Sequence, residues 1–120
     1  MSIGVNSKKN QLDRVFVAKN FNGFPSEKVL FLLAETFRCL GDTTRVKIVW
    51  AVSMGEVSVN RIAELLAMSQ PAVSHHLRVL RNLRLVKVRR EGRVAHYSLD
   101  DDHIQHLLKE GLKHVEDLLQ

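Results

Sequence analysis

Two polar pairs near the end of the chain, Asp101-x-His103 and His114-x-x-Asp117, combine the imidazole and carboxylate donors that bind divalent metal ions. His103 and His114 stand eleven residues apart, close to three turns of an α-helix, so they project from nearly the same side. At about 1.5 Å of rise per residue they lie roughly 16 Å apart, too far for one ion to touch both. The two histidines and the two aspartates are nevertheless centred on the same point, near residues 108 to 109. An antiparallel pairing of the helix with its own copy about a two-fold axis requires that symmetry. In such a dimer Asp101 and His103 of one chain meet His114 and Asp117 of the other, and two equivalent sites of nitrogen and oxygen donors result. Zinc accepts that set, with cobalt or nickel as alternatives should His106 enlarge the coordination number.

A second group of residues suits nucleic acid. Ser58 or Asn60 opens a short helix through Ile62, Ala63, Leu65 and Leu66, a tight break follows at Ala67-Met68, and Ser69 caps another helix to about Asn82. Pro71 falls in the first turn of that second helix, where a missing N–H costs nothing. Ala72, Val73, Leu77 and Leu80 face inward, which leaves Gln70, Ser74, His75 and Arg78 outward beside Ser69. Short polar side chains at the start of such a helix can reach base edges in a major groove about 12 Å wide. The next run, Leu85 to Leu99, alternates as two short strands around a Glu91-Gly92 turn. Val86, Val88, Val94 and Tyr97 supply its apolar face. Lys87, Arg89, Arg90 and Arg93 gather at and beside the tip, where they can straddle a phosphate backbone. A helix-turn-helix followed by a basic hairpin is a winged helix.

The remaining segments must position these groups. Residues 1–24 are polar and broken by glycine and asparagine, and are read as an N-terminal arm with a short helix near Gln11 to Lys19. Residues 25–120 form the DNA-binding and dimerisation domain. From Ser26, a plausible N-cap, Val29, Leu30, Leu33, Phe37 and Leu40 recur at helical steps until Gly41, giving a first core helix. Asp42 or Thr43 caps a second helix whose Val46, Ile48, Val49, Trp50 and Val52 bury a wide face, Trp50 included. Ile104, Leu107, Leu108, Leu112, Val115 and Leu118 or Leu119 form an apolar stripe that pairs the terminal helices. The fold expected is mainly helical with a small hairpin, dimeric through its terminal helices.

Composition narrows the function. The chain has 120 residues, 45% of them hydrophobic, and a formal net charge of +5, which fits one small domain with a polyanionic partner. Cys39 is the single cysteine, so an internal disulfide is excluded and a core position in a reducing cytoplasm is expected. No targeting segment or membrane span is visible in the sequence. No phosphate loop, nucleophile elbow or HExxH motif occurs, and a closed four-ligand site leaves no position for a reacting water, so an enzyme is not expected. His76 is expected to pack within the recognition helix and His96 to sit on the wing near DNA.

The stretch from about Ser26 to Asp117 resembles the ArsR/SmtB family of dimeric bacterial metal-sensing repressors. Leu40-Gly-Asp-Thr-Thr-Arg-Val-Lys-Ile, Ser69-Gln-Pro-Ala-Val-Ser-His-His-Leu and Arg93-Val-Ala-His-Tyr-Ser-Leu match its pattern in order and spacing. The resemblance implies an apo dimer that binds operator DNA and lets go when metal binds between the C-terminal helices. Its terminal ligand pattern falls on Asp101, His103, His114 and Asp117. It also implies a contact from His114 to a backbone carbonyl near Arg84. Two positions depart from the pattern. Ser58 stands where the family's other metal motif has a cysteine, so a thiolate site is not expected. Asp117 replaces the usual histidine or glutamate, which leaves Asp117, Glu116 or a water to complete the set. A repressor of the same fold answering a non-metal signal, and an architectural DNA binder, are the competing readings.

Overall fold

A computed structural model describes residues 23–120. The arm of residues 1–24, with its short helix, falls almost wholly outside them. Helix α1 runs Glu27–Leu40, and Ser26 caps it as expected, its Oγ accepting from the Val29 N–H at 3.3 Å. Only Cys39 of this helix is buried, which places the lone thiol in the core. Leu33 and Phe37, expected inside, are 48% and 54% exposed. Of the five apolar residues expected inside, Leu40 packs against the core.

Residues 39–120 make one compact body. Helix α2 (Thr43–Ala51) begins at Asp42, whose carboxylate accepts from the Arg45 N–H at 3.0 Å. Ile48 and Val49 are fully buried, but Trp50 is 41% exposed. Its expected burial is therefore corrected: α2 buries a narrow face, and the indole falls a quarter turn outside it. Strand β1 (Val57–Ser58) leads without a loop into helix α3 (Val59–Leu66), and Ser58 caps α3 through the Arg61 N–H. Helix α4 spans Gln70–Asn82, with Ser69 as its cap and Pro71 in the first turn. Strands β2 (Val86–Glu91) and β3 (Val94–Leu99) form the hairpin, and helix α5 (Asp102–Leu118) closes the chain.

The sheet has three strands in the order β1-β3-β2, all antiparallel. Its inner face carries Val57, Tyr97 and Val88 in one cross-strand row, and packs on Ile62, Val73, Leu77 and Leu80 of α3 and α4. Glu91 pairs with Val94, so the turn residues are Gly92 and Arg93, one position later than expected. Gly92 has a φ of 61°, which a two-residue hairpin needs at its first turn position and which glycine takes without strain. Val94 is 43% exposed. It lies three residues from Tyr97, so side-chain alternation places it on the opposite face and removes it from the apolar set.

The break inside the helix-turn-helix rests on Ala67, whose φ of 54° is left-handed. Its N–H and that of Met68 bond back to Glu64 and Ala63 carbonyls at 3.2 and 3.0 Å. An alanine there costs roughly 1–2 kcal/mol in backbone strain, against about 0.4–1 kcal/mol by which glycine would loosen the unfolded chain. Ala67→Gly is therefore expected to raise stability by roughly 0.5 kcal/mol, read as a higher denaturation midpoint at unchanged slope.

Candidate nucleic-acid interface and donor-bearing helix

Helix α4 and the wing enclose a concave groove on the surface of the body. Gln70, Ser74, Arg78 and Arg81 line it from α4, and Arg90 and Arg93 from the hairpin. The reason lies in two periodicities. Residues 70, 74, 78 and 81 follow each other at three- and four-residue steps and share one helical face. On the hairpin, Arg90 is two and four residues from Val88 and Val86, so it extends their row beyond the end of the core. The groove thus concentrates four guanidinium groups with the amides of Gln70 and Asn60 and the hydroxyls of Ser74 and Tyr97. Arg81 is absent from the sequence expectation; a three-residue step on from Arg78 along the same helical face reaches it.

The other expected residues lie elsewhere. Ser69 spends its hydroxyl on the Ala72 N–H at 3.2 Å. His75 is exposed, with its ring edge-on to His76 at 5.9 Å. His76 packs as expected, its Nδ1 accepting from Arg45 Nε at 3.2 Å. Arg89 points away from the groove. Its Nε and Nη2 hold both carboxylate oxygens of Glu56 at 2.9–3.1 Å, and Glu91 stands 3.8 Å from Nη1. His96 shares that outer face, with Nε2 at 3.6 Å from Glu91, so it does not reach the groove.

Arg89 holds the Glu56 carboxyl below the ordinary glutamate value, chiefly through the hydrogen bond, which outweighs a desolvation penalty and is joined by a lesser contribution from charge. A depressed folded pKa means that the pair's contribution is complete above the ordinary carboxylate pKa. It is lost only as pH falls through the lower, folded value. At neutral pH both groups are charged.

On α5, Asp101 is the N-cap. Its Oδ1 accepts from the His103 N–H at 2.9 Å and stands 3.3 Å from His103 Nδ1. These two expected ligands are thus brought together at the first turn. His114 and Asp117 are exposed on the last turns. Among the described residues, no three histidine, cysteine, aspartate or glutamate side chains gather in one chain. Leu112, Val115, Leu118 and Leu119 are exposed along the same helix, whereas Ile104 and Leu108 pack on the core. Gln105 fastens the first turn to the segment that follows α2, its amide donating to the Ser53 carbonyl at 3.2 Å. Among the described residues no helix is long and apolar enough to cross a membrane.

A helix-turn-helix followed by a hairpin that shares a basic groove with the second helix defines a winged helix-turn-helix DNA-binding protein. The family model for bacterial regulatory proteins of the arsR family matches residues 42–88. A cadmium resistance transcriptional regulatory protein, the CadC homolog of Staphylococcus aureus, is 42% identical over 83 residues, 68% of this chain and 69% of that one. The transcriptional repressor SmtB homolog of Synechocystis is 41% identical over 71% of this chain and 64% of its own length. Among solved structures, the homodimeric winged helix-turn-helix DNA-binding domain Mb0332 of Mycobacterium bovis superposes with a TM-score of 0.73. It is 25% identical, over 77% of this chain and 85% of that one. The chain belongs to the arsR family of bacterial regulatory proteins, the ArsR/SmtB family. It is a transcriptional regulator and not an enzyme.

Proposed function

We propose that this protein is a homodimeric, metal-responsive transcriptional repressor whose DNA-binding and dimerisation domain is residues 25–120. Its apo form binds operator DNA, and a divalent ion, zinc first with cobalt or nickel behind it, releases the DNA. The observation that carries this reading is the pairing of a four-arginine groove with a separate helix whose exposed face bears Asp101, His103, His114 and Asp117. The groove gives Arg78, Arg90 and Arg93 to phosphates and Gln70 and Ser74 to base edges, with Ser69 and His75 beside them on α4 and its cap as further DNA contacts.

The donor set fits the ion. Asp101 and His103 are already adjacent at 3.3 Å, and the side chains expected opposite them, His114 and Asp117, are exposed and free to meet a partner. When bound, the ion supplies a cross-link between two copies of α5. The uncovered leucines and valine of α5 support that pairing, since apolar faces of this kind are covered in an assembly. A relative whose name records cadmium resistance supports a metal as the signal, and a homodimeric neighbour supports the two-fold arrangement. The winged domains are set by the pairing angle of α5, because Gln105, Ile104 and Leu108 tie that helix to the body. Half-site spacing on DNA then depends on the angle.

Fluorescence anisotropy on a labelled fragment of the protein's own promoter, titrated with zinc, tests this reading. Zinc is expected to weaken wild-type binding tenfold or more, about 1.4 kcal/mol per tenfold, and to leave a His103→Ala, His114→Ala variant bound. Wild type that stays bound at saturating zinc, cobalt and nickel leaves a repressor of the same fold that answers a non-metal signal.

A further inference from the structure

The outer face of the sheet carries a polar assembly for which groove and donor helix give no use. Glu56 lies just before β1 and Arg89 on β2, strands that are not neighbours, because β3 runs between them. His96 of β3 pairs with Ser58 on one side and Arg89 on the other, and Glu56 lies two residues before Ser58, so the Glu56–Arg89 contact crosses the central strand obliquely. Strand β1 is two residues long and pairs only with His96 and Tyr97. Beyond His96, from Ala95 to the tip, the hairpin therefore has two strands alone, and a two-stranded ribbon is marginally stable by itself. Yet this is the part that carries Arg90 and Arg93 into the groove.

We propose that Glu56 and Arg89 form a clasp that fixes the angle of the wing against the helix-turn-helix. Both are positioning residues for DNA binding, and Arg89 is not a phosphate contact. The inference rests on the DNA-binding reading above. Three observations carry it. Three hydrogen bonds of 2.9–3.1 Å join the guanidinium to both carboxylate oxygens, a geometry that restricts orientation as well as distance. Glu91 adds a second carboxylate at 3.8 Å, so the positive charge of Arg89 is matched within the protein. Alternation along β2 turns Arg89 to the face opposite Arg90. Glu56 also sits two residues before Ser58, the cap of α3, so the clasp joins the root of the helix-turn-helix to the wing. With the side chains 41% and 51% exposed, the pair adds little to global stability. Its effect is on aim.

The test is promoter binding by the full chain across a series of salt concentrations. Wild type is compared with Glu56→Gln, Arg89→Gln, their double variant, and the charge swap Glu56→Arg with Arg89→Glu in a Glu91→Gln background that removes the neighbouring carboxylate, with thermal melts and Glu91→Gln alone as controls. Each single variant is expected to bind about three- to tenfold more weakly and the double no worse than either, the non-additivity of one shared contact. The slope of log affinity on log salt stays at the wild-type value, because no phosphate contact is lost. The swap recovers most of the affinity even should a single variant melt early. The proposal is overturned if Arg89→Gln lowers the slope by about one while Glu56→Gln binds as well as wild type or better. A swap weaker than both singles has the same meaning. Wild type that ignores its promoter overturns the DNA reading itself, and the clasp with it; only that outcome appears in the wild-type arm.

Discussion

Replacing Arg90 and Arg93 together by glutamine is expected to weaken promoter binding about a hundredfold, roughly 2.7 kcal/mol. The two side chains reach the groove from the wing while Arg78 and Arg81 reach it from α4, so the double variant removes one wall of a two-walled basic cleft. Each phosphate contact contributes about 0.9 to the slope of log affinity against log salt, so the slope should become shallower by about 2. Lys87→Gln is the matched control. Lys87 carries the same charge as Arg90 but lies on the opposite face of β2, paired with Ser98, and its loss should leave the slope unchanged. A double variant that keeps the wild-type slope would show that the wing does not touch phosphate.

The largest effect on stability is expected from Leu77→Ala. Leu77 is 0% exposed and sits midway along α4, packed with Ile62 and Val73 under the sheet. Truncating a buried leucine removes transfer free energy and leaves a cavity, together about 3 kcal/mol, which for a domain of this size lowers the urea midpoint by roughly 2 M. Trp50→Ala removes more atoms from a half-exposed position and should cost well under that. A Trp50 variant less stable than the Leu77 variant would mean that the indole is covered in the working form of the protein.

The helix-turn-helix was legible in the sequence because its signals are local. Ser58, Ser69 and Asp42 each cap a helix through an N–H three residues on, and Pro71 marks the first turn of α4. Such contacts depend on chain direction and a few side-chain oxygens. The errors came where the outcome depends on distant partners. Glu56 and Arg89 are 33 residues apart, and nothing in either neighbourhood announces the pair. The hairpin turn falls one residue later than the sequence suggests, and grouping Val94 with Tyr97 on polarity alone overlooks that residues an odd number apart on one strand face opposite sides in any register. Trp50 was expected in the core on size and polarity, but its place on α2 is set by which face α3 and α4 cover. The four expected metal ligands follow from a symmetry of spacing, and one chain unites only Asp101 with His103.

The uncovered end of α5 has a consequence for how much of this protein a cell must hold. Leu112, Val115, Leu118 and Leu119 are 41% to 81% exposed, and a helix with so little packing is marginal in water. Under the pairing proposed here, the order of those last turns depends on mass action between copies. Dilution would fray them and scatter His114 and Asp117. Copy number then becomes an input in its own right: below the association threshold the receptor for the ion is not assembled, whatever the supply of metal.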